Sequence, residues 1–200
     1  APDHIDDEGR EGDDHDEQAI HLVAVQAGTG VRPARLIGTM RLIAKKRDDA
    51  PLPIEENVSH AFVEPAPIPS VEVSRFIARH EDQDIQHMVA VALIRAATYQ
   101  VLARGIDTAY FEVEFPLLRL LQMIGIPMEQ IGDARDVREP GGVRTLYPLR
   151  VPAAEVPDAV KRDDTGRYSL GDFFHDEELC GGVGYFDEML AGIDSEDPGV

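Results

Sequence analysis

Apolar residues recur along the chain at two spacings, which predict strands in some segments and helices in others. Residues 20–27 and 34–44 are rich in aliphatic and β-branched residues, and Gly28 and Gly30 separate them, so they predict a β-hairpin. Residues 71–78 predict a further strand for the same reason. Shorter apolar runs predict additional strands at residues 108–113, 128–131 and 144–151.

Helical spacing appears in the segments between and after these strands. Residues 84–104 place apolar side chains at every third or fourth position, and Gly105 follows as the expected stop. Pro116 and Gly125 bracket a second helix in the order typical of helix starts and ends. Short helices are predicted near residues 154–161 and 186–192. Together the elements predict an α/β (α+β) fold with a mixed central sheet flanked by helices.

The composition changes along the chain and suggests three parts. Residues 1–17 are polar and acidic, which predicts an N-terminal arm. Residues 18–152 hold most of the predicted elements and form the main domain, in which the five prolines between residues 45 and 70 predict a long connection with at most a short helix. Residues 153–200 are predicted to be a C-terminal appendage of the same domain.

Charge and cysteine content exclude several classes of protein. The formal net charge is −19, which argues against nucleic-acid binding because that binding needs basic surface to displace counterions. No apolar run approaches the roughly 20 residues of a membrane-spanning helix. A single cysteine, Cys180, excludes an internal disulfide. These features predict a cytoplasmic protein without a membrane span.

The segment 71–76 carries the most unusual chemistry, since it places polar groups in an apolar strand. On an extended strand, alternate side chains share a face, so Glu72, Ser74 and Phe76 are predicted to point one way and Arg75 the other. A carboxylate in such a strand is costly to bury without a partner. A structural ion pair and a functional carboxylate are both compatible with Glu72 at this point.

Two further polar clusters precede this strand. Glu11, Asp13 and Asp16 lie close together in the acidic arm, where they can bind an amine or be solvated; their spacing differs from that of a calcium loop, so no metal site is predicted. Arg41 lies inside the apolar run 34–44 and requires a carboxylate partner. Asp13, Asp16 and Glu72 are the candidates.

The three clusters, taken in order, resemble a known family. The chain reads Glu11-Gly-Asp13-Asp-His-Asp16, then Gly38-Thr-Met-Arg41-Leu42, then Glu72-Val-Ser74-Arg75-Phe76. This order is similar to that of the acyl-homoserine-lactone synthases, the LuxI-type autoinducer synthases of quorum sensing, and of the related N-acyl amino acid synthases. The resemblance covers roughly residues 11–151.

The resemblance implies a GNAT-like fold, that of the GCN5-related N-acetyltransferases, and an N-acyltransferase activity. The enzyme would move a fatty acyl group from a thioester of acyl carrier protein, or of coenzyme A, to a small-molecule amine. The acceptor would be S-adenosylmethionine in a lactone synthase or a free amino acid in its relatives. The chain has no Trp, whereas the lactone synthases carry one in the arm ahead of the acidic motif, so both acceptors remain open. No permanently bound cofactor is implied.

The resemblance also implies roles for individual residues. Glu72 would be the general base, directly or through water. The acidic residues of the arm would either attract the ammonium of the acceptor or hold the arm closed by pairing with Arg41 and Arg75. Ser74 would contact the acyl head or orient Glu72. The acyl pocket would be lined by Phe76, Phe111 and Val113.

The segment that precedes the long predicted helix bears on the acyl donor. Ordinary acetyltransferases of this fold have a Gly-rich turn there, whose backbone N–H groups bind the coenzyme A pyrophosphate. Residues 79–84 have no Gly and carry three carboxylates, which favours acyl carrier protein as donor. An acidic carrier protein needs a basic patch, and the candidates are Arg95, Arg104, Arg135, Arg138 and Arg144. The alternatives are an acetyltransferase with an atypical coenzyme A loop and a catalytically silent binding domain of the same fold.

Overall fold

The structure, a computed structural model, describes residues 4–5, 11–28, 30–31, 33–45, 50–58, 61–62, 64–139, 142–161 and 169–176. The strands in these ranges are β1 (His4–Ile5), β2 (Glu11–Gly12), β3 (Ile20–Gln26), β4 (Arg35–Lys45), β5 (Ser70–Ala78), β6 (Thr108–Glu114), β7 (Glu129–Gln130), β8 (Arg135–Glu139) and β9 (Gly142–Pro152). The α-helices are α1 (Pro53–Asn57), α2 (Gln83–Ala103), α3 (Phe115–Ile124), α4 (Val156–Ala159) and α5 (Leu170–His175). Cys180 and the helix predicted near 186–192 lie outside the described residues.

Seven of the described strands form one mixed sheet, as the sequence predicts. The order is β3-β4-β5-β6-β9-β7, and β8 also pairs with β9. The pair β5–β6 is parallel, and the other pairs are antiparallel. The predicted hairpin is β3–β4. Strand β8 was not predicted, because its residues 135–139 are almost all charged and its pairing comes from β9 rather than from an apolar pattern.

Helix α2 covers one face of the sheet and encloses the main core. Asp82 caps its N-terminus by accepting hydrogen bonds from the backbone N–H groups of Asp84 and Ile85, at 2.9 and 3.4 Å. The helix is long and apolar enough to cross a bilayer, by length and composition alone, but it packs against the strands of the sheet. From the C-terminal part of the chain, Phe174 is fully buried in the same core.

The opposite face of the sheet is covered by α1 and the proline-rich connection around it. Ile43, Leu52, Ile54 and Tyr110 are buried there in a second apolar cluster. The sheet is therefore buried on both faces where β4, β5 and β6 meet. This double burial is what takes the polar residues of β4 and β5 out of water.

A β-bulge interrupts the pairing of β4 with β5 at the polar segment. Thr39 pairs with Ile77 and Arg41 pairs with Ser74, so two residues of β5, Arg75 and Phe76, stand opposite one residue of β4. Arg75 accommodates the extra length with a φ of +48°. The alternation predicted for β5 is therefore wrong beyond Ser74. Arg75 lies on the same face as Ser74, whereas Phe76 packs with the main core on the α2 face.

The close approach of β4 to α2 generates a stability prediction. A Cβ atom at Gly38 would lie 2.8 Å from Cγ1 of Val89 and 3.0 Å from Cδ1 of Leu93. Gly38→Ala must push the helix away from the sheet, so we expect the free energy of unfolding to fall by about 1–3 kcal/mol. Urea denaturation measures this change. Gly30→Ala is the matched control, because nothing lies within 4 Å of that Cβ position; equal losses in the two variants would contradict the packing argument.

Candidate active site

A cleft opens in the sheet where β5 and β6 separate. Their parallel pairing runs from Ser70–Thr108 to Val73–Phe111 and stops there. Beyond this point the strands diverge and enclose a cleft of about 880 Å³. Since no pairing joins β5 to β6 beyond Val73 and Phe111, backbone polar groups of both strands face the cleft.

Five of the ten residues predicted for the site line this cleft. Ser74 and Arg75 line it from β5, together with Phe76. Phe111 and Val113 line it from β6, so all three residues predicted for an acyl pocket border the same space. The structure thus brings together residues that are about 40 positions apart in the sequence.

A small apolar cavity adjoins the cleft on the α2 side of the sheet. Its volume is about 30 Å³, and Val73 and Phe111 line both the cavity and the cleft. The remaining walls are apolar side chains of the main core together with Thr98. The cavity is therefore an apolar space next to the cleft, separated from it by at most the side chains of Val73 and Phe111. It lies on the face of the sheet opposite to Glu72.

Glu72 is buried on the α1 side, next to the point where the strands separate. The residue is 5% exposed, and its Oε2 atom accepts a hydrogen bond of 2.7 Å from the backbone N–H of Ile54. Burial raises the pKa of this carboxyl from its ordinary 4.5 to about 7, although the Ile54 N–H and the charge of Arg41 lower it. Glu72 therefore exchanges a proton near neutral pH.

Glu112 is a second carboxylate near Glu72, and the sequence did not single it out. Its oxygens accept hydrogen bonds from Arg135 at 2.6 and 2.8 Å and from Asn57 at 2.8 Å. It lines the cleft, and its negative charge helps to raise the pKa of Glu72. The only sequence signal was its place in an apolar strand, one position beyond Phe111.

A cluster of ion pairs fastens the acidic arm to the edge of the site. Arg41 Nη1 lies 2.7 Å from an oxygen of Asp13 and 2.7 Å from an oxygen of Asp16. Arg75 contacts the same two carboxylates at 3.1 Å. Arg41 also donates from Nε to the hydroxyl of Ser74 at 3.0 Å. The bulge in β5 makes the second arginine available to the arm.

Asp13 and Asp16 each contact both Arg41 and Arg75, which favours a closed arm, while the binding of an acceptor amine stays a prediction. Burial raises the pKa of Asp13 and of Asp16, but hydrogen bonds from Arg41 and from backbone N–H groups outweigh it and leave both values lowered. Both carboxylates are thus ionised and paired with the two guanidinium groups. The contacts are those of an arm held closed by Arg41 and Arg75. The side chain of Glu11 lies outside the described residues.

Three of the five arginines predicted to form a basic patch, Arg135, Arg138 and Arg144, lie on the adjacent strands β8 and β9. Arg95 is 6% exposed and donates to the backbone oxygen of Asp176 at 2.6 Å. Arg135 is paired with Glu112, and Arg144 is paired with Glu114. A basic patch for an acidic carrier protein therefore stays a prediction.

Comparison with solved structures finds the same fold in known synthases. LasI, an acyl-homoserine-lactone synthase, is 15% identical, with a TM-score of 0.59 over 82% of this chain and 81% of that chain. BjaI, a coenzyme A-dependent acyl-homoserine-lactone synthase solved with MTA, is 21% identical, with a TM-score of 0.57 over 88% of this chain and 81% of that chain. TofI, solved with an inhibitor and MTA, is 20% identical, with a TM-score of 0.56 over 79% and 78%.

These likenesses confirm the predicted α/β fold with a mixed central sheet and show that the resemblance to the synthases holds at the level of fold. Comparison with protein-family models and with curated proteins gives no match. The roles of individual residues therefore rest on the geometry of the site.

The arm cluster predicts the effect of removing one of its carboxylates. Asp13→Asn deprives Arg41 of a charged acceptor while Asp16 remains, so we expect a loss of about 1.5–3 kcal/mol in the free energy of unfolding. Asp14→Asn is the control, because Asp14 is exposed and adjacent in sequence. Urea denaturation of both variants at pH 7 measures the difference in their free energies of unfolding. Equal stabilities would mean that the cluster does not hold the arm.

The raised pKa of Glu72 predicts how stability depends on pH. The folded protein holds this proton up to about pH 7, whereas the unfolded chain releases it near 4.5. The contribution of Glu72 to the free energy of unfolding is therefore complete below pH 4.5 and is lost as the pH rises to about 7. The loss for this group is roughly 3 kcal/mol. Glu72→Gln keeps an acceptor for the Ile54 N–H and removes the titration. Urea denaturation at several pH values should show this fall in the wild type and its absence in the variant; parallel curves would contradict the assignment.

Proposed function

We propose that the protein is an N-acyltransferase that moves a fatty acyl group from a thioester to the amine of a small molecule. The observation that carries the proposal is the buried Glu72, with a pKa of about 7, beside a cleft that adjoins an apolar cavity. A general base works best when its pKa lies near the operating pH. The product would be an N-acyl-homoserine lactone or an N-acyl amino acid.

The cleft offers a place for each reactant. An acyl thioester in the gap between β5 and β6 would direct its alkyl end past Val73 and Phe111 into the cavity. The amide groups of the pantetheine arm would pair with the open backbone edges of the two strands. The acceptor amine would approach from the side of Ser74 and the arm.

Proton transfer would accompany the transfer of the acyl group from sulfur to nitrogen. The amine nitrogen attacks the thioester carbon, the new N–C bond forms, and the C–S bond breaks. The proton lost by the amine passes to Glu72 and afterwards to the departing thiolate. Glu72 is not among the residues that line the cleft, whereas Ser74 is, so we propose that a water beside Ser74 carries the proton between them.

The start of α2 favours acyl carrier protein over coenzyme A as donor. The N–H groups of Asp84 and Ile85 already donate to the carboxylate of Asp82. A pyrophosphate placed there would meet this carboxylate rather than free N–H groups. BjaI and MesI are described as coenzyme A-dependent and BjaI is also solved with SAM and isopentyl-CoA, so the coenzyme A donor is the alternative to be tested.

The test is a panel of acyl thioesters and amines assayed with the full-length protein. Acyl carrier protein and coenzyme A, each carrying butanoyl to dodecanoyl chains, are offered with S-adenosylmethionine or with amino acids, and thiol release and product mass are measured. We expect turnover from the carrier protein thioesters, and a fall of about 10²–10⁴-fold in rate for Glu72→Gln. Asp14→Asn serves as the control variant. Faster turnover from coenzyme A would reverse the donor assignment, and a fully active Glu72→Gln would rule out the mechanism.

A further inference from the structure

A buried ion pair lies on the same face of the sheet as Glu72, apart from the arm cluster. Nζ of Lys45 contacts both oxygens of Glu55 at 2.8 Å, and the two side chains are 0% and 8% exposed. A pair this deep loses most of its hydration, so its net contribution to stability is small. The pair is therefore more important for where it holds α1 relative to β4 than for how much it stabilises the fold.

The Glu55 carboxylate also joins the two ends of the connection that contains α1. It accepts hydrogen bonds from the backbone N–H of Leu52 at 2.7 Å and of Ala66 at 2.8 Å. These acceptor bonds and the contact with Lys45 lower the pKa of Glu55 against the effect of burial, so it is ionised at neutral pH. One carboxylate thus holds the first residue before α1, the end of the connection and strand β4.

The start of α1 is the part of this connection that touches Glu72. Pro53 has no N–H, so Ile54 carries the first backbone N–H of α1, and this group has no acceptor within the helix. Its N–H donates to Oε2 of Glu72 at 2.7 Å, and the Ile54 side chain is fully buried in the second apolar cluster. Any displacement of the start of α1 therefore moves the hydrogen-bond donor of Glu72.

We propose that Lys45 and Glu55 are positioning residues, whose ion pair fixes the start of α1 so that the Ile54 N–H holds the Glu72 carboxylate in one orientation beside the cleft. The consequence for turnover rests on the proposed function. The coupling between the ion pair and the Ile54 N–H does not, because it is a property of the protein without substrate.

The other charged groups that act on Glu72 lie outside this pair. Arg41 faces it from β4, Glu112 from β6 and Asp13 from the arm. Lys45→Met/Glu55→Gln removes one positive and one negative charge together and leaves those three groups in place. A changed ionisation of Glu72 in this double variant would therefore report a movement of α1 and the entry of water.

Amide hydrogen exchange on the wild-type protein is the first test. The N–H groups of Leu52, Ile54 and Ala66 are held by two carboxylates that the proposal couples, so we expect them to open together and to exchange with similar protection. An Ile54 amide that exchanges about tenfold or more faster than the other two would overturn the proposal. This measurement requires neither substrate nor a variant.

The double variant is the second test, with Glu129→Gln/Arg150→Met as the matched control for loss of an ion pair at the far edge of the sheet. We expect faster exchange at Ile54 and a downward shift in the ¹³C titration of Glu72, since water would relieve the burial that raises its pKa. With the best carrier protein thioester, kcat should fall about 10- to 100-fold at unchanged KM. In the control variant, the exchange rate at Ile54, the titration of Glu72 and kcat should match those of the wild type.

The outcomes separate the two proposals. A folded double variant with an unchanged Glu72 titration and unchanged kcat would overturn the positioning role. If the wild type transfers no acyl group, the proposed function fails, while exchange and titration still decide the coupling. If the double variant does not fold, the exchange rates of the wild-type protein decide it alone.

Discussion

The bulge in β5 is the local feature on which the site depends. Arg75 and Phe76 together stand opposite Met40, so β5 has one extra residue there. Side chains after Ser74 therefore lie on the face opposite to the one that simple alternation predicts. Arg75 then reaches Asp13 and Asp16, and Phe76 moves to the α2 side. The change occurs just after the last pair that joins β5 to β6, so the cleft begins where the faces are exchanged.

Charge balance explains why Glu72 differs from the other carboxylates around it. Asp13 and Asp16 are matched by Arg41 and Arg75, Glu55 by Lys45, and Glu112 by Arg135. Glu72 receives a backbone N–H instead of a cation as its hydrogen-bond donor. One N–H bond offsets only part of the cost of burying the charged carboxylate, so burial dominates and the proton remains until about pH 7.

Sequence patterns predicted the sheet, its two main helices and the shared face of Glu72 and Ser74, because each depends on alternation or on spacing within one element. They did not predict the face of Arg75, since a bulge depends on the register between two strands. Glu112, Lys45 and Glu55 were missed for a related reason. Their roles depend on partners between 10 and 55 residues away, which no local pattern reveals.

The proline-rich connection shows how a segment without regular structure can contribute to a site. One carboxylate, that of Glu55, accepts hydrogen bonds from the backbone N–H groups of Leu52 and Ala66. The short helix α1 is too small to be stable without the packing of Ile54 and Leu52 beneath the sheet. Apolar burial on the α1 side therefore both raises the pKa of Glu72 and secures the one N–H that moderates it. The two effects share a cause, so they cannot be altered independently by changing residues of α1.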